Sequence, residues 1–99
     1  MVRHIVMFKF LPEANGKTAK ENAIAVKEML EALPSVIPCI VWSKVTLNDG
    51  TPANYDLVLE SDFESYDHLK FYAEHPDHLK VGAFMKDIRQ SRACVDYEY

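Results

Sequence analysis

The 99-residue sequence has few of the residues that build disulfide frameworks, phosphate-binding loops or membrane spans. It holds only two cysteines, Cys39 and Cys94, and no CxxC pair, which argues against a cysteine-based zinc site. Its three glycines are scattered, so no glycine-rich phosphate loop is formed. No apolar run approaches the roughly 18 residues of a membrane span, and no basic cluster marks a nucleic-acid surface. We therefore expect no membrane partner and no nucleic-acid partner.

What the sequence does contain is typical of one small globular domain, which we place at residues 1–99. Hydrophobic residues make up 48% and the formal charge is −4. A domain of this size buries a modest share of its surface, so oligomerisation would add burial. The opening segment MVRHIVMFKF is interrupted by Lys9 and lacks a small-residue cleavage site, which predicts a strand and not a signal peptide. Reduced thiols and a cytoplasmic location follow as expectations.

Periodicity and capping signals in the first half of the chain predict a strand, a helix and a second strand. Residues 2–10 are apolar on both faces, as in a strand that is covered on both sides. Thr18 and Glu21 have the capping-box spacing that opens a helix, and Pro34 ends it. Residues 36–47 are rich in β-branched and aromatic types and predict the second strand.

The second half predicts a third strand, two helices and a fourth strand. Residues 54–60 follow a turn signal and predict the third strand. Ser61 or Asp62 begins a helix that ends before Pro76, a further helix follows, and residues 92–98 form the last strand. The order β-α-β-β-α-β predicts the α+β class and a ferredoxin-like, four-stranded antiparallel sheet.

One face of that sheet would have no helix to cover it. Ile5, Met7 and the mixed faces of the second and fourth strands are not patterned for contact with water. A second copy of the same sheet is the simplest cover, and two-fold symmetry is the commonest arrangement of such copies. The patterning therefore predicts a homodimer.

The segment Tyr72-Ala73-Glu74-His75-Pro76-Asp77-His78 concentrates groups that can move protons. Three of the four histidines lie between residues 68 and 78, and His4 lies on the first strand. Because Pro76 breaks the helix, side chains on either side of it can point into one cavity. Histidine titrates near neutral pH and can act as a general base, and a tyrosine hydroxyl can stabilise an enolate oxygen.

Several features of the chain together resemble the stress-responsive α/β-barrel (Dabb) domain family, and the likeness covers nearly all of it. The His-Pro-x-His element with its upstream tyrosine is the most specific part. The resemblance implies a ferredoxin-like subunit whose sheet joins that of a second subunit as a dimeric α+β barrel with the helices outside. The residues that carry it are His4 to Phe10, Trp42, Tyr55, Phe63-Glu64-Ser65 and Tyr72-x-x-His75-Pro76-x-His78.

The resemblance also implies a site. A plant polyketide cyclase of this family uses a pocket tyrosine and histidine for a cofactor-free aldol condensation, and these roles map onto Tyr72 and His78. Asp77 departs from the cyclase, which has a small apolar residue there. The candidate ligand is a small hydrophobic or phenolic compound, with no cofactor and no metal. The candidate catalytic residues are His78, Tyr72 and His4, and the candidate substrate-binding residues are His75, Phe8 and Val6.

Each of these residues also has a plainer interpretation. His78 could hydrogen-bond the backbone after the proline turn, and Tyr72 could be an amphipathic tyrosine at the edge of the core. His4 could be a buried histidine with its hydrogen bonds satisfied, and His75 could fix the turn. His68 falls on the helix surface and receives no role.

Two alternative functions stay open. One is a non-catalytic binding or stress-protective dimer, which a cavity filled by Phe8, Phe71 or Phe84 would favour. The other is a metal site in which His75 and His78, with His4 and either Asp77 or Glu74, supply the ligands.

Overall fold

A computed structural model describes all 99 residues and contains three α-helices and six strands. In chain order the elements are β1 (Val2–Phe10), β2 (Glu13–Ala14), β3 (Lys17–Thr18), α1 (Ala19–Glu31), a 3-10 turn (Leu33–Ser35), β4 (Trp42–Leu47), β5 (Leu57–Phe63), α2 (Tyr66–Glu74), α3 (Pro76–Met85) and β6 (Arg89–Glu98).

The four long strands form one antiparallel sheet in the order β4-β5-β1-β6. The central strand β1 pairs with β5 on one side and with β6 on the other, so that Val6 lies opposite Leu59 and Cys94. This order confirms the predicted ferredoxin-like fold of the α+β class. The short strands β2 and β3 form a separate hairpin whose turn places Asn15 and Gly16 at positive φ (54° and 74°).

The core lies between the helices and one face of the sheet. Alternate residues of β1 are buried on that face, as the period of two in a strand requires. The predicted capping box opens α1, because the Thr18 side chain accepts from the Glu21 N–H and the Glu21 side chain accepts from the Thr18 N–H. The fully buried members of the core include Phe10, Val26, Ile37, Phe63 and Ile88.

The second strand is shorter than the sequence pattern predicted. Only residues from Trp42 onward pair with β5, and residues 36–41 form turns and irregular backbone. Pro38 has no N–H to donate to a ladder, which explains why strand pairing begins only after it.

The boundary between β5 and α2 was also predicted wrongly. Ser61 and Asp62 do not begin a helix, because they pair with His4 and Arg3 inside the sheet. The helix cap is Ser65, whose side chain accepts from the His68 N–H at 3.2 Å, and α2 begins at the next residue. Three large apolar side chains of α2 and α3 are exposed: Tyr66, Leu79 and Phe84.

None of the helices combines the length and the apolar character that crossing a membrane requires.

Candidate functional site

Three elements bring the predicted catalytic residues together between the helices and the sheet. His4 comes from β1, Tyr72 from α2 and His78 from α3. The ring centroids of Tyr72 and His78 lie 4.4 Å apart, and those of His4 and Tyr72 lie 6.2 Å apart. Phe63 packs beside the tyrosine with a centroid separation of 5.1 Å. Residues up to 74 positions apart in sequence thus form one cluster around Tyr72.

The hydrogen bonding of His78 leaves one of its nitrogens available. Nδ1 lies 3.0 Å from the Ala73 carbonyl oxygen, which can only accept, so Nδ1 carries the proton. The neutral ring then has a lone pair on Nε2. Burial lowers the pKa of His78; the Ala73 hydrogen bond opposes this shift, and the positive charge of Arg92 adds to it. His78 is therefore neutral at pH 7 and can accept a proton.

Tyr72, in contrast to His78, is kept protonated and can act as a hydrogen-bond donor. Its residue is 3% exposed, and its hydroxyl has no hydrogen-bond partner within the protein. Burial raises the pKa of Tyr72 well above its usual range, although the nearby positive charge of Arg92 opposes this shift. The hydroxyl consequently keeps its proton at neutral pH and is free to donate it to a ligand oxygen.

His4 has partners that the sequence did not reveal. Its Nδ1 contacts the Asp96 carboxylate, and the Cys94 sulfur lies 3.8 Å from the same nitrogen. Cys94 and Asp96 are two residues apart on β6, so they share the face of the sheet that His4 occupies. The polar residues Arg92, Cys94 and Asp96 alternate in the sequence, which indicates that they share one face of a strand. That this face is the one that His4 occupies depends on the register of β6 against β1, which the sequence does not show.

A small cavity lies next to these groups. Its volume is about 90 Å³, well below the roughly 300 Å³ at which small-molecule pockets begin. Phe8 and Val6, two of the candidate substrate-binding residues, form part of its wall, whereas Phe71 and Phe84 are exposed and do not fill it. The lining residues are His4, Val6, Phe8, Leu30, Leu59, His78, Gly82, Met85, Arg89 and Arg92.

His75 lies outside this cavity and has a structural task. It is the N-cap of α3, where its Nδ1 accepts from the Asp77 N–H at 3.1 Å. Its ring packs edge-on against Phe71, with the centroids 5.9 Å apart. The structure therefore separates the two histidines of the His-Pro-x-His element into a helix cap and a cavity group.

The residues that could share a metal ion differ from the set considered for the sequence. His75 and His78 do not converge, whereas ligand atoms of His4, Cys94 and Asp96 all lie within 4.8 Å of one another. Such nitrogen, sulfur and oxygen donors suit a zinc-type cation. Burial and the neighbouring Asp96 charge raise the pKa of the Cys94 thiol, so a cation would have to displace its proton.

A larger cavity of about 560 Å³ lies elsewhere, between the start of α1 and the loop after β4. Lys20, Asp49 and Asp56 are the charged residues of its lining, which includes no histidine and no tyrosine. His4 and His78 therefore line the smaller cavity and not this one.

Comparison with known proteins agrees with this architecture. Residues 2–99 match the family described as the Stress responsive A/B Barrel Domain. The stress-response A/B barrel domain-containing protein DABB1 of Arabidopsis thaliana is 30% identical over an alignment of 99 positions, which covers 98% of this chain and 46% of that protein. The chain thus spans about half the length of that relative.

Two further relatives are similar over nearly their whole length. A dimeric protein of unknown function with a ferredoxin-like fold, from Bacteroides fragilis, superposes with a TM-score of 0.85 at 38% identity, covering 99% of this chain and 95% of that chain. Olivetolic acid cyclase from Cannabis sativa is 22% identical over 96 residues, which are 97% of this chain and 94% of the cyclase. The match over residues 2–99 shows that the chain belongs to the stress-responsive A/B barrel domain family.

Proposed function

We propose that this protein is a cofactor-free enzyme that removes a proton next to the carbonyl group of a small keto or phenolic compound, in a cyclase, lyase or isomerase reaction. One observation carries the proposal. The neutral ring of His78 has a free Nε2 lone pair and contacts the ring of Tyr72, whose hydroxyl keeps its proton, beside a cavity.

The proton-transfer step follows from these two states. Nε2 of His78 takes the proton from the carbon next to the carbonyl, and the electron pair of that bond moves into an enolate. The Tyr72 hydroxyl donates a hydrogen bond to the enolate oxygen and stabilises the charge as it forms. In a cyclisation the enolate carbon then attacks a second carbonyl of the substrate, and the alkoxide that forms takes the proton back from the His78 imidazolium. In an isomerisation the imidazolium returns the proton to a different atom of the enolate system.

His4 lines the same cavity and packs against the ring of Tyr72. Its Nδ1 is bound to Asp96, which fixes the orientation of the ring against Tyr72. The name of the olivetolic acid cyclase relative supports a cyclisation.

The working unit in this proposal is a homodimer. The sheet face without helices presents Ile5, Met7, Trp42, Val95 and Tyr97, of which the last three are exposed in one protomer. A second copy would bury this apolar surface, and the relative from Bacteroides fragilis is described as dimeric.

The test is deuterium incorporation at the carbons next to the carbonyl in a panel of small methyl ketones and acetylphenols, followed by proton NMR. We expect the wild type to accelerate exchange and His78→Gln to lose about 100- to 10,000-fold of that acceleration. The matched control is His68→Gln, because His68 is an exposed histidine on α2. Equal rates in the His78 and His68 variants would contradict the proposal.

A non-catalytic binding role is the second candidate, and the size of the cavity favours it. A volume of about 90 Å³ admits only a small ligand or one end of a larger ligand. In this case phenolic compounds would raise the melting temperature of the wild type and raise that of His78→Gln less, while no ketone would exchange deuterium.

A further inference from the structure

An irregularity in β6 sets the direction of two arginines. Arg92 lies opposite Phe8 and Arg89 lies opposite Phe10, although the two arginines are three residues apart and the two phenylalanines only two. The register shifts between Lys9 and Phe10, so β6 contains one extra residue there. In a regular strand, residues three apart point to opposite faces, and a bulge of one residue returns them to the same face.

Both arginines therefore lie at the cavity that holds His4 and His78. The lining of this cavity contains no aspartate and no glutamate. Neither guanidinium has a carboxylate within 4.0 Å, in contrast to Arg3, which is paired with Asp62. The charge of Arg92 also acts on the neighbouring groups, since it adds to the lowering of the His78 pKa that burial causes and opposes the rise in the Tyr72 pKa that burial causes.

The positive charge of the two arginines is opposite in sign to the net charge of the protein. The protein carries a formal charge of −4, yet the cavity beside the proposed base presents two unpaired guanidinium groups. A cavity with charge of one sign concentrates ligands of the other sign. The planar fork of a guanidinium matches the two oxygens of a carboxylate or the oxygens of a phosphoryl group.

We propose that Arg89 and Arg92 form an oxyanion-binding subsite, so that the substrate is a small ketone with an anionic oxygen group a few bonds from its carbonyl. The arginines hold the anionic group at the mouth of the cavity, and the carbonyl end points toward His78 and Tyr72. The placement of the carbonyl rests on the proposed function, whereas the binding of the anion does not.

The experiment uses levulinate, a five-carbon keto acid, together with its uncharged methyl ester and with 2-oxopropylphosphonate. Dissociation constants are measured by NMR titration of the wild type and of Arg89→Met, Arg92→Met and Arg92→Lys. Lys70→Met is the matched control, because it removes a positive charge from an exposed position on α2. Deuterium exchange of levulinate is followed in the same samples and in His78→Gln.

We expect levulinate to bind at least about tenfold more tightly than its methyl ester, and Arg92→Met to remove most of that difference. Arg92→Lys should restore part of the affinity, Arg89→Met should weaken binding, and Lys70→Met should have no effect. Tighter binding of the phosphonate than of levulinate would identify a phosphoryl group as the natural anion, and the reverse order a carboxylate.

Equal affinity for levulinate and its ester, failure of both anions to bind, or unchanged binding in Arg92→Met would overturn the subsite. Loss of exchange in the wild type with normal levulinate binding would instead overturn the proposed function and leave the subsite in place.

Discussion

The two faces of the sheet use polar side chains in different ways. On the open face, Arg3 lies between the rings of Trp42 and Tyr99, at 5.1 and 5.2 Å from their centroids, and is bound to the Asp62 carboxylate. The Tyr99 hydroxyl donates to the same carboxylate at 2.7 Å. The Arg3 guanidinium, the Asp62 carboxylate and the Tyr99 hydroxyl are thus each bound to a partner within the protein.

On the helix-covered face, several polar groups lack a partner. These are Nε2 of His78, the Tyr72 hydroxyl, and the hydroxyl of Ser61, which is fully buried and lies beside His4 in the sheet. Of these groups only the Ser61 hydroxyl is a fully buried atom, and leaving it unpaired costs stability, whereas Nε2 of His78 and the Tyr72 hydroxyl are available to a ligand. The open face is built as a surface for packing, and the covered face combines a core with groups kept free for a ligand.

The largest expected effect is a difference in unfolding free energy between a variant of the covered face and a variant of the open face. Phe10→Ala truncates a side chain that is 1% exposed in the core, and it should cost about 3–5 kcal/mol of unfolding free energy. Tyr97→Ala truncates an aromatic residue of the open face that is 42% exposed. Urea unfolding at several protein concentrations checks this prediction. The loss in Phe10→Ala should not depend on concentration, whereas that in Tyr97→Ala should. A concentration-independent loss of similar size in both variants would remove the distinction.

The ion pair of the open face is expected to matter for association. Arg3→Met leaves the Asp62 carboxylate without its main partner in the surface that a second copy would cover, so dimerisation should weaken about tenfold or more. Lys44→Met is the control, because it removes a charge from the same face without breaking an ion pair. Sedimentation equilibrium measures both constants. Identical dimerisation of the two variants would show that the Arg3 cluster does not contribute to the interface.

The covered face should respond to pH through His78. Because burial lowers its pKa below the ordinary value of about 6.5, the unfolded chain binds a proton that the folded protein resists. This contribution to stability is complete above pH 6.5 and is lost as pH falls through the folded pKa. Catalysed deuterium exchange should rise with pH through the same folded pKa and then remain level, since Tyr72 keeps its proton beyond its ordinary range.

Measurements of stability and exchange between pH 4 and 9 test this behaviour (a range set by the ordinary pKa values of histidine and tyrosine). In His78→Gln the acid-dependent loss of stability should shrink. An exchange rate that falls between pH 5 and 8 would contradict the assignment of His78 as the base.

The smallest expected effect lies away from both faces. Thr18→Ala removes the exposed capping box of α1 and should cost about 1 kcal/mol of unfolding free energy. Ligand affinity and dimerisation should not change, so this variant calibrates how much a purely local loss of stability affects either measurement. A change in levulinate affinity in Thr18→Ala would mean that affinity in this protein follows stability and not the cavity.

The predictions that succeeded rested on local signals. The strand at residues 2–10, the Thr18–Glu21 capping box and the helix break at Pro76 are each encoded within a few residues, and each is found as predicted. The start of α2 was predicted wrongly because Ser61 and Asp62 have the composition of a helix cap, while their partners in β1 hold them in the sheet. Distant pairing overrides local propensity at such positions.

In the candidate site, too, some residues could be predicted from local signals and others depend on distant pairing. The sequence indicated His4, Tyr72 and His78, whose types and spacing are visible in the chain, and the structure brings these three together. It did not indicate Asp96, Arg89 or Arg92, because their direction depends on the register of β6 and on a bulge within it. It also did not separate His75, a helix cap, from His78, a cavity group.

The sequence by itself determined the class of fold and the residues able to move a proton, because periodicity, capping and side-chain chemistry are local properties of the chain. Only the tertiary structure decided which of those residues keep a free lone pair or hydroxyl, and which charges surround them. The physical reason is that protonation state, hydrogen-bond satisfaction and cavity charge depend on atoms brought together from distant strands and helices.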